Sequence, residues 1–329
     1  MCFEKAILIT MLMLLAASLN VNAASLKQES DYATQAYQAY QAGDYQNAAI
    51  HFRKLVQLDP SNPKAWILLG QSLAQTNDVE GARRAFDKAL KLEPGGRIAD
   101  RVNELLANLP GSILRDCPTC PEMVVIPAGS FEMGEPFKTH TVTISQPFAI
   151  GKFEVTQAQW KTIMGSNPSK FSNCGDNCPV ENVSWNDAQK FIQRLNTKTG
   201  KQYRLPSEAE WEAACRGGET KQYCGSDDAQ SVAWYDESST LPVGQKQANA
   251  FGLYDMSGNV WEWVEDGWHN NYDGAPSDGT ARQGYDSRHV IRGGSWHFDQ
   301  WIRHAADRNW NLPSDRYSTL GFRLARTLP

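Results

Sequence analysis

Cysteine is the residue type in this 329-residue chain whose spacing most directly suggests chemistry. Six cysteines follow the N-terminal region: Cys117, Cys120, Cys174, Cys178, Cys215 and Cys224. An even count favours disulfides, and proximity in sequence favours the pairs Cys117–Cys120, Cys174–Cys178 and Cys215–Cys224. Thiolates of the first two pairs could instead bind zinc. The Cys117-Pro-Thr-Cys120 run also has redox-motif spacing, but it precedes a strand-like segment instead of a helix start that would stabilise a thiolate.

The N-terminal region predicts export. An apolar run from Ala6 to Leu19 is followed by Val21-Asn22-Ala23, which is typical of a signal-peptide cleavage site. The run is too short to span a bilayer, and we expect no membrane span elsewhere. Residues 1–23 are therefore predicted to be a signal peptide, and the mature protein is expected in the periplasm or outside the cell.

Charge argues against nucleic acid as a partner. The net charge is −5, and no run rich in lysine or arginine stands out. Proteins that bind nucleic acids concentrate positive charge on one face, so we expect no nucleic-acid partner.

Three motifs in the C-terminal part carry a family resemblance. They are Gly258-Asn-Val-Trp-Glu-Trp263, Arg292-Gly-Gly-Ser-Trp296 and Gly321-Phe-Arg323. In this order they resemble the sulfatase-modifying-factor family, whose founding members are the formylglycine-generating enzymes. The resemblance covers residues 117–326. It implies an irregular α+β domain related in fold to C-type lectins, with Ser295 and Trp261 lining the family pocket.

Two residues that perform the family's oxidase chemistry are absent. In the oxidases, two cysteines that bind copper(I) follow the Gly-Gly-Ser-aromatic motif, because soft thiolates suit that ion. Those positions are Phe298 and Arg303 here, and no cysteine follows Cys224. We therefore expect no copper site and no formylglycine formation. The leading prediction is a non-catalytic binding protein. The alternative is an oxidoreductase-type enzyme that uses the same pocket without copper cysteines.

The loop that contains the first motif is a candidate calcium site. Asp255 and Glu262 could supply carboxylates, and Gly258 and Val260 could supply backbone carbonyls, which together suit calcium's preference for oxygen ligands. The resemblance implies a structural calcium at these positions. In the other interpretation, Asp255 and Glu262 cap turns or pair with arginines such as Arg292 or Arg323.

The segment after Trp296 has the composition of a binding surface. Aromatic and arginine side chains dominate binding surfaces because they offer large contact areas at low entropic cost. Candidate ligand-binding residues are Phe298, Trp301, Arg303, Trp310 and Arg316. The ligand could be a protein, a peptide or a glycan. Alternatively the tryptophans are core residues; we expect Trp301 or Trp310, but not both, to line a pocket.

A 34-residue repeat precedes this domain. Pro60 and Pro94 are 34 residues apart, as are Phe52 and Phe86. The second copy, with Trp66 among its signature residues, resembles the tetratricopeptide repeat. We predict helices near residues 30–42, 46–58, 64–76 and 80–92 and a capping helix at 97–109. The module, residues 29–110, is expected to dock a protein or peptide, or to act as a spacer or oligomerisation element.

The linker, the strands and the helix starts of the second domain are predicted from composition, from hydrophobic patterning and from helix N-cap residues. Pro/Gly/Cys-rich residues 111–122 are predicted to be a linker, and residues 123–329 the second domain. Strands are expected near residues 123–131 and 140–148. Helix starts are expected at Thr156, at Ser184 or Asn186, and at Ser207, where Glu210 completes a capping box. The overall prediction is a helical solenoid followed by an irregular α+β domain.

Overall fold

The computed structural model describes residues 27–76, 78–135, 138–297 and 304–328. The predicted signal peptide, residues 1–23, lies outside the described residues. So do three predicted ligand-binding residues, Phe298, Trp301 and Arg303. The chain divides into two compact units, Met1–Leu109 and Pro110–Pro329.

The first unit is helical. Its helices are α1 (27–41), α2 (Tyr45–Leu58), α3 (Pro63–Gln75), α4 (Val79–Leu92) and α5 (Gly96–Ala107). These bounds agree with the predicted helices to within a few residues. Asp44, Asn62 and Asp78 each begin a helix by accepting an N–H of its first turn.

Close packing of α3 on α4 depends on one glycine. A Cβ added at Gly70 would lie 2.5 Å from a ring carbon of Phe86. Phe86 is 1% exposed, and Phe52 occupies the equivalent position in the first repeat with no exposure. The repeat signature therefore reflects helices that approach closely because a side chain is absent at this position.

The second unit combines small sheets with short helices. The strands are β1 (Ile113–Leu114), β2 (Met123–Ile126), β3 (Gly129–Met133), β4 (His140–Ile144), β5 (Phe148–Gly151), β6 (Tyr203–Arg204), β7 (Ala233–Trp234), β8 (Ser257–Gly258), β9 (Trp261–Gly267), β10 (His289–Arg292), β11 (Arg308–Asn311), β12 (Leu320–Gly321) and β13 (Ala325–Thr327). The helices are α6 (Gln157–Met164), α7 (Trp185–Thr199), α8 (Glu208–Arg216) and α9 (Ala229–Val232), with a 3-10 turn at Ser172–Cys174.

Two larger sheets organise this unit. One has the order β1-β2-β5-β13-β6, and the other has the order β11-β10-β9-β12. In the second sheet β9 pairs with β10 antiparallel and with β12 in parallel, so the three sequence motifs become neighbours. The predicted mixed α+β class, with long irregular segments after residue 216, agrees with this architecture.

The predicted linker contributes a strand of its own. β1 pairs antiparallel with β2, so Ile113 lies opposite Val124. A strand of two residues is too short to show the alternation that predicts strands from sequence. The predicted strand 140–148 is similarly two strands, β4 and β5, separated by a turn.

The helix starts of the second unit follow the predicted caps. Thr156, Ser184 and Ser207 are the N-caps of α6, α7 and α8, and each forms a capping box with the residue three positions later. For α7 the cap is Ser184 and not Asn186.

Three disulfides join Cys117 to Cys120, Cys174 to Cys178 and Cys215 to Cys224. These are the pairs favoured by sequence proximity, and cysteines paired in this way are not available as thiolate ligands for zinc. Disulfides are typical of extracytoplasmic proteins. Among the described helices, none combines the length and apolar character needed to cross a membrane.

Replacing Gly70 by alanine should destabilise the helical unit despite alanine's higher helix propensity, because the new methyl group overlaps the Phe86 ring. We expect a loss of about 1–3 kcal/mol in the free energy of unfolding, measured by denaturant titration of helical circular dichroism. Gly95→Ala is the control, because a Cβ at Gly95 meets nothing within 4 Å. Equal stability of the two variants would contradict the packing argument.

Candidate functional site

The Gly321-Phe-Arg323 motif places a guanidinium inside the second unit. Arg323 has no exposed surface, and its Nε and Nη2 donate to the two carboxylate oxygens of Glu262, both at 2.6 Å. Its Nη1 donates to the carbonyl of Gly151 at 2.9 Å and its Nη2 to that of Tyr254 at 3.0 Å. Glu262 also accepts from the indole of Trp211 at 2.7 Å. The ion pair is therefore bidentate and further satisfied by hydrogen bonds.

Two more buried carboxylates lie near this pair. Glu154 accepts from the side-chain amide of Asn259 at 2.7 Å and from the N–H of Val260 at 3.1 Å. Asp255 accepts from the N–H of Gly244 at 2.7 Å. Glu154 and Asp255 are 1% and 2% exposed. Sequence reasoning missed Glu154, which lies more than one hundred residues from the motif that it supports.

Excess negative charge in this cluster raises carboxyl pKa values. Burial raises the pKa of Glu154 well above its usual range, and the charges of Asp255 and Glu262 raise it further, against the opposing effect of Arg323. Burial likewise raises the pKa of Asp255 to about 6. One guanidinium thus lies near three buried carboxyl groups, and the pKa values of two of them are raised.

Both carboxylate oxygens of Glu262 accept hydrogen bonds, from Arg323 and from Trp211. The observed contact is the arginine pairing that the sequence left open. Asp255, Gly258 and Val260 lie in one loop, but no cluster of three or more His, Cys, Asp or Glu side chains suited to a metal occurs in the described parts of the chain. Calcium binding through Asp255, Gly258, Val260 and Glu262 stays a prediction.

A second buried arginine fixes the segment beyond the Gly-Gly-Ser motif. Arg292, which has no exposed surface, pairs with Glu212 at 2.5 Å. It also donates to the carbonyls of Ala305, Ala306 and Asp307, at 2.7 to 3.0 Å. This guanidinium therefore holds the backbone of the chain that returns toward β11.

The Gly-Gly pair permits the turn that follows β10. Gly293 and Gly294 have φ values of 91° and 75°. A Cβ on Gly293 would also lie 3.1 Å from the ring of Trp211. This left-handed backbone beside an aromatic ring favours glycine.

The two predicted pocket residues are both buried. Ser295 has no exposed surface and Trp261 is 4% exposed, in the main core cluster with Trp263 and Phe322. Trp296 closes the motif, since its N–H donates to the carbonyl of Asn259 and its indole to the carbonyl of Ser318. The structure brings the Gly-Asn-Val-Trp and Gly-Gly-Ser-Trp motifs into direct contact.

A buried carboxyl that sequence reasoning missed lies behind this motif. Glu181 has no exposed surface and accepts the N–H of Phe171 at 2.7 Å. The Phe171 ring packs edge-on against Trp296, with centroids 5.4 Å apart. Burial raises the pKa of Glu181 to about 7. No sequence signal distinguishes this glutamate from a surface residue.

The described ligand-binding candidates differ in their environments. Trp310, in β11, is 38% exposed, and the guanidinium of Arg288 lies 4.6 Å from its ring centroid. Arg316 pairs with Asp187 at 2.7 Å and so supports the start of α7.

A family profile decides the membership of this domain. The profile described as Sulfatase-modifying factor enzyme 1-like domain matches residues 111–328. The chain belongs to the sulfatase-modifying factor family. A tetratricopeptide-repeat profile matches residues 39–109. Both resemblances drawn from the sequence are confirmed.

Similar proteins carry different names. The chaperone protein LppX of Paenibacillus barcinonensis is 33% identical, over 46% of this chain and 72% of that protein. The formylglycine-generating enzyme of Mus musculus is 33% identical, over 59% of this chain and 55% of the enzyme. The chain thus spans about half of the length of that enzyme.

Solved structures with this fold include two bacterial proteins. PvdO from Pseudomonas aeruginosa is 36% identical, with a TM-score of 0.60, and the match covers 67% of this chain and 99% of PvdO. Treponema denticola variable protein 1 is 30% identical, with a TM-score of 0.60, over 65% of this chain and 98% of that protein.

Replacing Glu262 by glutamine should strongly destabilise the second unit, because Arg323 would keep a buried charge without a counter-ion. We expect a loss of about 3–5 kcal/mol in the free energy of unfolding, measured by denaturant titration of tryptophan fluorescence. Arg316→Ala is the control, since it removes a partly exposed ion pair worth about 0–1 kcal/mol. A Glu262→Gln variant as stable as the control would refute the central role of this pair.

Stability should fall as pH rises from about 5 to 8. Burial raises the pKa values of Asp255 to about 6 and of Glu181 and Asp266 to about 7. The folded state therefore holds protons that the unfolded state has released, and their stabilising effect is present at low pH and lost through the folded pKa values. The Tm of wild type should decline over this range.

The Tm of the Asp255→Asn variant should fall less steeply with rising pH, because the amide of asparagine does not ionise. A Tm that rises with pH would contradict this assignment. Added calcium offers a separate test: a rise in Tm for wild type that disappears in Asp255→Asn would support calcium binding at this loop.

Proposed function

We propose that the chain is an extracytoplasmic, non-catalytic binding protein. Its helical module docks a protein partner, and its C-terminal domain binds a second ligand. The state of the cysteines supports the non-catalytic part of this proposal. The six cysteines beyond the N-terminal region form three disulfides, and Phe298 and Arg303 stand where the oxidases have cysteines. No thiolate pair in the mature chain can therefore bind copper(I).

The architecture supports binding in a second way. The family motifs supply the Arg323 and Arg292 networks and the Gly-Gly turn, all of which have structural roles independent of the missing cysteines. Arg292 fixes the segment before β11 through its backbone carbonyls. A relative, LppX, is named a chaperone protein.

The helical module offers a surface for a protein partner. Tyr37 is 43% exposed although its ring packs edge-on against Phe52, with centroids 5.6 Å apart. Tyr40 contacts Phe52 in the same way. A tyrosine that is held in place on one side and exposed on the other is a common anchor at protein interfaces.

An enzyme of the same family is the second candidate, and Glu181 is the observation that favours it. A carboxyl with a pKa near 7 can exchange a proton at neutral pH, and Phe171 connects Glu181 to Trp296 of the pocket motif. Such an enzyme would perform oxidoreductase-type chemistry without copper cysteines, with Ser295 in its pocket. Loss of an activity in Ser295→Ala, with folding intact, would support this candidate.

Wild-type protein incubated with copper(I), oxygen and a Cys-x-Pro-x-Arg peptide should leave the peptide cysteine unchanged in mass spectra. The double variant Phe298→Cys/Arg303→Cys is the matched control, because it restores the two thiols at the family positions. We expect copper(I) binding in this variant only. Formylglycine produced by wild type would overturn the proposed function.

A further inference from the structure

Trp310 belongs to an array of stacked arginine and aromatic side chains on one edge of the second sheet. Arg288 covers the Trp310 ring at 4.6 Å, and Arg308 lies 4.5 Å from the ring of Trp268 and 4.6 Å from that of Tyr272. β11 is an edge strand of this sheet, and Trp310 lies opposite the buried Val290. The indole is therefore oriented by its neighbours while 38% of its surface is exposed.

The arginines of this array carry no unbalanced charge. Arg288 pairs with Asp286 at 2.7 Å, and Arg308 pairs with Glu208 at 2.7 Å. Arg316, on the following segment, pairs with Asp187. A surface that recognises an acidic polymer needs cations that are not already neutralised, so these pairs argue against an anionic ligand.

The edge of β11 is also poorly suited to receive an added strand. The backbone N–H of Trp310 donates to the side-chain oxygen of Asn309 at 2.8 Å. Strand addition depends on backbone groups of the edge that are available for pairing. Capping of this amide by the neighbouring side chain directs recognition to the indole face.

We propose that the Trp310 face binds a neutral oligosaccharide, an inference that rests on the proposed binding function. A pyranose ring presents polarised C–H groups on one face, and these complement the negative face of an indole. Its hydroxyls need both donors and acceptors. The exposed Asp286–Arg288 pair offers both without net charge, and the hydroxyl of Tyr285, which is 87% exposed, lies beside it in sequence.

The test titrates the full mature chain with cellotriose and with triacetylchitotriose, followed by calorimetry and by saturation-transfer NMR. We expect saturable binding of at least one of the two sugars, with saturation transfer to its ring C–H protons. Trp310→Ala should weaken binding by at least about tenfold, and Trp310→Phe should weaken it less. Ile50→Ala, at an exposed position of the helical unit, should bind as wild type does.

The dependence of affinity on salt concentration distinguishes a neutral ligand from a charged one. The affinity should be the same from roughly 50 to 500 mM salt, because screening acts on charge pairs. The inference is overturned if neither sugar saturates, if Trp310→Ala binds as tightly as wild type, or if affinity falls with salt. A protein partner that depends on Trp310 while neither sugar binds would overturn the sugar inference and leave the binding function standing. Formylglycine turnover would overturn the binding function itself.

Discussion

The buried ion pair between Glu262 and Arg323 is the constraint on which the second unit depends. Burial of two charges is costly unless each finds partners with good geometry. Here the guanidinium satisfies the carboxylate at both oxygens and also binds the carbonyls of Gly151 and Tyr254. Strand β9, the end of β5 and the loop before β8 are thereby joined at one point. In a domain with short strands and few long helices, such buried contacts fix the relative positions of the segments.

The Gly-Gly-Ser-Trp motif likewise has structural roles that do not depend on the positions of the oxidase cysteines. Gly293 and Gly294 satisfy a left-handed turn, and Arg292 holds the backbone of residues 305–307. Neither role involves the oxidase cysteines. The motifs that identify the family therefore describe its architecture, whereas the copper chemistry belongs to two positions that can change independently. Relatives with names as different as a chaperone protein and a formylglycine-generating enzyme are consistent with this separation.

Buried carboxyl groups are the second feature of the domain. Burial raises the pKa values of four carboxyl groups, those of Glu154, Asp255, Asp266 and Glu181. Hydrogen bonds from backbone N–H groups and nearby arginines offset part of the cost. The raised pKa values link the stability of the fold to pH. Disulfides at three places add restraints that do not depend on pH.

The sequence by itself determined the helical repeat, the family domain and the helix caps, because each follows from local spacing: a 34-residue period, three short motifs and Ser or Thr before a helix. It could not reveal that Glu154 and Glu181 are buried, since nothing adjacent in sequence reports their surroundings. The pairing of Glu262 with Arg323 crosses 61 residues, so only the tertiary structure could reveal it. The tertiary structure also decides why two tryptophans differ: Trp310 is partly exposed beside Arg288, whereas Trp261 is buried in the core. Burial depends on which strands become neighbours, and that is a property of the whole fold.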